Sequence, residues 1–166
     1  MDCKRALEET NGNVDAAIKY LREKGLAKAA KKSGRIAAEG LVYTKIDEAK
    51  KVGVVVEVNV ETDFAAKTDR FIEFVELVAQ TIIDNDVADV DALKEVVPAG
   101  ESEKIADILT ERIATIGENI QIRRFARMTG DLYDYIHNGG GSIIGSMIKL
   151  ESADANSDAV KAVAKD

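Results

Sequence analysis

The residues that could perform acid–base, nucleophilic or metal chemistry are few in this chain of 166 residues. His137 is the single histidine, and it stands just before Asn138 and Gly139, a setting typical of an exposed strand end. Cys3 is the single cysteine, and the neighbouring charge of Asp2 disfavours its thiolate form. A general base needs an orienting partner, and one cysteine cannot build a disulfide or a cysteine-rich metal site. These residues therefore predict no catalytic centre and no bound metal.

Pairs of carboxylates occur in one polar region of the chain. Asp84 is followed by Asp86, and Asp89 by Asp91, at a spacing that invites comparison with calcium loops. The glycine that such a loop requires at its sixth position is missing. We therefore interpret these carboxylates as solvated surface groups.

A glycine-rich segment near the carboxyl end has part of the spacing of a phosphate-binding loop. Gly140 and Gly145 match that spacing, but Ser146 and Met147 stand where the loop requires Lys and then Ser or Thr. The segment also leads into a predicted strand, so no helix N-terminus would face a phosphate. No nucleotide or other cofactor is predicted, and an interaction protein becomes the default hypothesis.

The overall composition predicts a folded, soluble, intracellular protein. Hydrophobic residues make up 46% of the chain and charged residues 32%, a balance that can build a core. Apolar runs are short, as at 54–56, and the first residues lack the apolar stretch of a secretory signal. We therefore expect a cytoplasmic location and no membrane partner.

The net charge of −7 argues against a nucleic-acid partner held by general electrostatics. A local basic stripe nevertheless lies at helical spacing, at Lys28, Lys31, Lys32 and Arg35. We interpret it as the solvated face of a connecting helix. RNA or ribosome binding is the alternative, which predicts a steep salt dependence but lacks interleaved aromatic residues.

The amino-terminal 40 residues are predicted to be mostly helical. Asp2 caps a helix over 3–10, and Asn13 caps a second helix that ends at Gly25. A third, alanine-rich helix is predicted from Leu26 to just before Gly40. Two short helices cannot make a stable core alone, so they must pack on something else.

The pattern changes to strands after Gly40. A strand is predicted over 41–46, and valines then alternate along 52–60 with the period of two that favours a strand. A helix follows Thr68, residues 84–100 are mostly polar, and Ser102 is predicted to cap a helix that ends at Gly117. Three further strands are predicted over 119–128, 132–137 and 142–150. Short loops favour antiparallel pairing, so the predicted class is α+β, with helices on one face of an antiparallel sheet.

The segment 61–68 lies between the valine strand and the helix after Thr68, where functional side chains are often found. Phe64 continues the even positions that carry the apolar face of the strand. Pattern alone therefore predicts that Phe64 is a core residue.

A resemblance changes that interpretation. The run N-V-E-T-D-F-A-A-K at 59–67 resembles the N-C-E-T-D-F-V-A-K signature of the elongation factor Ts family. Three further blocks resemble that family in order and spacing: 1–7 with the segment behind it, G-E-N-I with two arginines at 117–124, and Y-I-H with its glycines from 135. The resemblance covers essentially the whole chain.

This resemblance implies a domain organisation. Residues 1–25 would be part of a ubiquitin-associated-like helical module, 26–40 a linker helix, 41–150 an α+β core subdomain and 151–166 the start of a second core subdomain. The family carries a further helix before the position of Met1 and continues well beyond Asp166, so we expect a partial chain.

The resemblance also implies a function, which is guanine-nucleotide exchange on elongation factor Tu in its GDP-bound and nucleotide-free states. The segment formed by Thr62, Asp63, Phe64 and Ala65 would enter the GTPase near the phosphate and magnesium site, with Phe64 as a wedge. Further partner contacts would be Met1, Ile116, Gly117 and His137. No covalent chemistry, cofactor or direct nucleic-acid contact is implied, and a homodimer is compatible with a full-length member.

One alternative function and the role of one residue stay open at this point. In the alternative, the chain is a non-enzymatic protein-binding module with Phe64 as a core residue, so Phe64→Ala would destabilise it by about 3–5 kcal/mol. For Ile116, pattern alone leaves core and contact roles equally open, because it continues the apolar face of 105–113.

Overall fold

Helices and antiparallel strands share the chain in the computed structural model, which describes residues 2–139, 142–152 and 157–165. This confirms the predicted α+β class. The elements within those residues follow one another in this order: α1 (Asp2–Glu9), α2 (Val14–Lys32), β1 (Glu39–Asp47), β2 (Val52–Val60), α3 (Asp63–Ala66), α4 (Asp69–Asp84), α5 (Val90–Lys94), α6 (Ile105–Ile116), β3 (Ile120–Thr129), β4 (Leu132–Gly139), β5 (Ser142–Lys149) and α7 (Asp158–Lys165).

The alternating valines of β2 form the centre of a three-stranded antiparallel sheet with the order β1-β2-β3. Their even-numbered members are all buried, because successive side chains of a strand point to opposite faces. Helix α4 covers this face with the predicted apolar stripe, whose members are all buried: Phe71, Phe74, Val75, Val78 and Ile82. Both predictions are confirmed, and β2 and α4 together form the centre of the core.

The remaining strands, β4 and β5, form a separate antiparallel hairpin on the other face of the sheet. Two glycines allow the close approach of the two sheets. A Cβ on Gly53 would lie 2.7 Å from the Met147 sulfur, and one on Gly145 would lie 2.5 Å from Val42 Cγ1. The five strands found among the described residues therefore divide between two sheets, and β2 is covered on both faces.

The amino-terminal helices differ from the prediction. Asn13 caps α2 as expected, with its side chain accepting a hydrogen bond from the Ala16 backbone N–H. However, α2 runs through Gly25 to Lys32, so the predicted helix end at Gly25 and the separate linker helix over 26–40 are wrong. Helix α2 packs on α6, and this contact outweighs the roughly 1 kcal/mol that a helical glycine costs. The division of the chain into a ubiquitin-associated-like module and subdomains stays a prediction.

The polar segment before α6 is more ordered than its composition indicates. Asp89 caps the short helix α5 by accepting from the Ala92 N–H, and Leu93 within α5 is fully buried. The predicted cap at Ser102 is wrong, because α6 begins after Lys104. The Ile105 N–H instead donates to the Val96 carbonyl, which ties the start of α6 to the end of the α5 segment.

Gly117 ends α6 in the left-handed conformation, with a φ of 90°, as predicted. The predicted turn at 138–141 and the predicted helix start at Asn156 fall partly outside the described residues. Among the described helices, none combines the length and the apolar character that crossing a bilayer requires.

The burial of Leu93 can be tested by truncation. We expect Leu93→Ala to lower the free energy of unfolding by about 2–5 kcal/mol, because it removes fully buried methyl groups and leaves a cavity. Val97→Ala, in the same segment but 49% exposed, should cost about 0.5 kcal/mol or less. Urea denaturation followed by circular dichroism measures both, and equal costs would contradict the packing described here.

Candidate functional site

Phe64 is 80% exposed, although it continues the apolar parity of β2. The strand ends at Val60, and the helical turn α3 from Asp63 to Ala66 replaces the period of two with a helical one. Ala65 and Ala66 take the buried positions of that turn. The core interpretation of Phe64 is therefore wrong, and the aromatic ring faces solvent.

Thr62 holds the start of α3. Its hydroxyl oxygen accepts a hydrogen bond from the Ala65 N–H at 3.2 Å, as an N-cap residue does. At the other end, the Thr68 hydroxyl donates to the Ala65 carbonyl at 2.7 Å. The two threonines thus fix the backbone on either side of the exposed ring.

Two carboxylates join this turn to the segment that leads into β3. The backbone N–H and the hydroxyl of Thr62 donate to the two Glu118 carboxylate oxygens, at 3.0 and 2.8 Å. In the opposite direction, the Asn119 N–H donates to Glu61 Oε1 at 2.6 Å. Each glutamate therefore binds a backbone N–H across the gap between the strands. We call Glu61, Thr62, Glu118 and Asn119 the carboxylate clamp.

Arg35 extends the clamp to a third segment. Its guanidinium lies 3.5 Å from Glu61 Oε1, and its backbone carbonyl accepts from the buried Asn119 side chain at 2.7 Å. The residues after α2 are therefore tied to the same point as the ends of β2 and α6.

The basic stripe is largely engaged within the chain. Besides Arg35, Lys28 lies 3.7 Å from Asp2, and the Lys32 ammonium donates to the Ile113 carbonyl near the end of α6. A cation at a helix C-terminus interacts favourably with the helix dipole. Three of the four cations thus have partners in the chain, which weakens the hypothesis of an RNA-binding stripe.

Ile116 and Gly117 directly precede the clamp residue Glu118. Ile116 is half-buried and packs against the core, so its core contact is confirmed, while a partner contact stays a prediction. Gly117 takes a left-handed conformation that most residues avoid, and this turn directs Glu118 back toward Thr62. The structure thus brings Ile116 and Gly117 into the neighbourhood of Thr62.

His137 and Met1 are placed differently. His137 lies exposed on β4 of the hairpin, and its Nδ1 is 3.4 Å from the Tyr135 hydroxyl oxygen, within hydrogen-bonding reach. It therefore belongs to the second sheet rather than to the segment 62–65. The prediction for Met1 falls outside the described residues.

The predicted segment 62–65 divides into two kinds of residue. The Thr62 side chain is occupied by the clamp and the cap, and Ala65 is buried. Asp63 and Phe64 are the two that face solvent, so they are available to a partner. Sequence reasoning missed Glu61, Glu118 and Arg35 as the residues that hold this turn, although Glu61 and Glu118 both lie in motifs that carried the resemblance.

The electrostatics of α3 are set by one ion pair. The Lys67 ammonium donates to Asp63 Oδ2 at 2.7 Å, one helical turn away. This hydrogen bond favours the ionised carboxylate and holds the pKa of Asp63 below its ordinary value of 3.8. Within the described part of the chain, no group of three or more His, Cys, Asp or Glu side chains is arranged to hold a metal ion.

Comparison with known proteins places this site in a family. A family model described as Elongation factor TS matches residues 61–166, which is more than half of the chain. The chain belongs to the elongation factor Ts family. The matched region begins at the clamp residue Glu61 and includes α3, the rest of the clamp and the hairpin.

Individual members of the elongation factor Ts family are similar along the whole chain. Elongation factor Ts of Halothermothrix orenii is 47% identical over 169 residues, which cover 100% of this chain and 55% of that protein. The Clostridium novyi protein is 46% identical over 170 residues, with the same two coverages. That of Paramagnetospirillum magneticum is 49% identical over 171 residues, covering 99% of this chain and 54% of its own length. The chain thus spans about half the length of the relatives it matches.

The exposure of Phe64 predicts a contrast between two phenylalanines. We expect Phe64→Ala to change the free energy of unfolding by less than about 0.5 kcal/mol, since its ring faces solvent. Phe74→Ala, at a fully buried position of α4, should cost about 3–5 kcal/mol. Chemical denaturation of both variants measures the difference. A cost of several kcal/mol for Phe64→Ala would restore the core interpretation.

The Asp63–Lys67 pair predicts a pH response. Since the pKa of Asp63 is lowered by folding, the pair stabilises the turn above pH 3.8, and this contribution is lost as pH falls through the lower folded pKa. We expect NMR titration of the Asp63 carboxyl to give a midpoint below 3.8. Lys67→Met should raise that midpoint, whereas Lys31→Met on α2 should leave it unchanged. An unchanged midpoint in Lys67→Met would contradict the assigned cause.

Proposed function

We propose that this chain acts as a guanine-nucleotide exchange factor for elongation factor Tu during translation elongation. The observation that carries the proposal is the exposed ring of Phe64, held on a turn that is fixed at both ends. A rigid aromatic residue buries a large area at low entropic cost, which suits an interface anchor. Membership of the elongation factor Ts family supports the choice of partner.

The proposed mechanism uses Asp63 and Phe64 as the inserting pair. Phe64 enters the GTPase beside the phosphate and magnesium site and displaces neighbouring elements, so that magnesium and then GDP are lost. Thr62 and Ala65 contribute by holding the turn, since the Thr62 hydroxyl caps α3 and Ala65 is anchored in the core. No covalent bond is made or broken, so the chain is an exchange factor rather than an enzyme of covalent chemistry.

Exchange requires a difference in affinity between two states of the GTPase. A factor that bound the GDP-bound and nucleotide-free states equally would shift nothing. A wedge that fits only the distorted phosphate site supplies this difference. Because coupling between two ligands is reciprocal, returning nucleotide weakens the binding of the factor, which can then act again.

The other proposed contacts lie on separate elements. Ile116 and Gly117 are next to the clamp and therefore close to α3, so they extend the same contact surface. His137 presents its ring from the hairpin beside Tyr135. Met1 is proposed from the resemblance alone. The proposal includes a cytoplasmic location, which suits a role in translation, and a homodimer for the full-length protein.

The proposal predicts a specific loss of activity in one variant. This chain should accelerate the release of fluorescent GDP from elongation factor Tu, and Phe64→Ala should reduce that acceleration roughly 10- to 30-fold, the effect of losing an interface hot spot. Ile36→Ala removes an apolar side chain that is also highly exposed, but on another segment, and should leave the rate unchanged. Stopped-flow fluorescence measures all three proteins.

The same measurement has a clear opposite outcome. If the folded parent chain accelerates release and Phe64→Ala does so equally, Phe64 is not the wedge. If the folded parent chain gives no acceleration at any concentration, the chain is not by itself an exchange factor.

A further inference from the structure

The ladder between β2 and β3 ends abruptly at the pair Val60 and Ile120. The next residues on each strand, Glu61 and Asn119, would continue the backbone pairing of a longer sheet. Instead, the Glu61 carboxylate accepts from the Asn119 N–H, and the Glu118 carboxylate accepts from the Thr62 N–H. Side-chain carboxylates thus replace backbone carbonyls as hydrogen-bond acceptors at the point where the chain leaves the sheet and enters α3.

The clamp residues are partly shielded from solvent and have further partners in the chain. Asn119 is buried, and its side chain is tied to the Arg35 carbonyl. The Glu61 side chain is 21% exposed and has Arg35 beside it as a counter-charge. Hydrogen bonds from backbone N–H groups to a carboxylate are stronger than those between neutral groups.

Helix α3 needs such support because it cannot position itself. It has four residues, and isolated helices of that length are unstable in water. The Phe64 ring is exposed and adds no packing, so among the side chains of the turn only Ala65 and Ala66 are buried. The Thr62 hydroxyl links the helix cap to the clamp, since it accepts a hydrogen bond from the Ala65 N–H and donates one to the Glu118 carboxylate. The orientation of the cap therefore depends on Glu118.

We propose that Glu61 and Glu118 are positioning residues, which hold α3 at a fixed angle to the sheet so that Phe64 is presented ready for insertion. This inference rests on the proposed exchange function for its activity, but the positioning itself is a property of the chain alone. In this role the two glutamates act through Thr62 and Asn119 and do not contact the GTPase.

The first test measures positioning without any partner. Amide hydrogen exchange by NMR should show Thr62 and Ala65 exchanging roughly 10-fold faster in Glu118→Ala than in the parent chain. Glu118→Gln keeps an acceptor oxygen and should lie close to the parent. Glu57→Ala is the matched control, since Glu57 is also a glutamate of this sheet with an 18% exposed side chain, but it lies within β2 and pairs with Arg123 and Arg124. It should leave both amides unchanged.

The second test measures what positioning does for exchange. Glu118→Ala should lower the maximal rate of GDP release from elongation factor Tu roughly 10-fold, with little change in the half-saturating concentration of the factor. Glu61→Ala should act in the same direction, and Glu118→Gln should restore most of the rate. In a Phe64→Ala background, Glu118→Ala should have no further effect, because it acts through that ring.

Each outcome decides the inference. Unchanged amide protection of Thr62 and Ala65 in Glu118→Ala overturns it, whatever the exchange activity. It is also overturned if Glu118→Ala lowers the rate of GDP release by the same factor in the parent chain and in the Phe64→Ala background. Faster amide exchange throughout the core would show general destabilisation and would also overturn it. If the parent chain does not accelerate GDP release from elongation factor Tu, the proposed function fails. The hydrogen-exchange result still decides whether the glutamates position α3.

Discussion

The end of pairing between β2 and β3 is the constraint on which the candidate site depends. Strand β2 is covered on one face by α4 and on the other by the β4–β5 hairpin, so its course through the core is fixed. Where its pairing with β3 ends, at Val60, the chain must satisfy its backbone groups in another way. The carboxylate clamp does so, and the helical turn that follows directs Phe64 away from the core. The turn that directly follows the strand at the centre of the core thereby carries an exposed aromatic residue.

The regular parts of this fold could be predicted because their periodicity is strong. The valine alternation of β2 and the apolar stripe of α4 each match a single element, and Gly117 supplies a left-handed helix end. The errors arose where contacts between distant segments override local preference. Packing on α6 carries α2 through Gly25, and the bond from Ile105 to Val96 moves the start of α6 away from Ser102. Helix α5 was missed because a single buried leucine anchors it in a polar segment.

The site shows a different limit of sequence reasoning. Parity along β2 predicted a buried Phe64, since a periodic argument cannot tell that the strand ends four residues earlier. The resemblance to elongation factor Ts identified the same segment, but it did not reveal what holds the segment in place. Glu61 and Glu118 are 57 positions apart in sequence, and only the pairing of β2 with β3 brings their side chains to one turn.

The wedge role proposed for Phe64 requires that its ring enters the nucleotide-binding domain of elongation factor Tu. The most direct measurement is photo-crosslinking from p-benzoylphenylalanine placed at position 64, followed by mass spectrometry of the crosslinked peptides. The same probe at Ile36, which is also highly exposed, serves as the reference. We expect efficient crosslinks from position 64 to the elements around the phosphate and magnesium site, and we expect excess nucleotide to reduce them. Crosslinks that are no stronger than those from position 36, or that map to another domain of the GTPase, would contradict it.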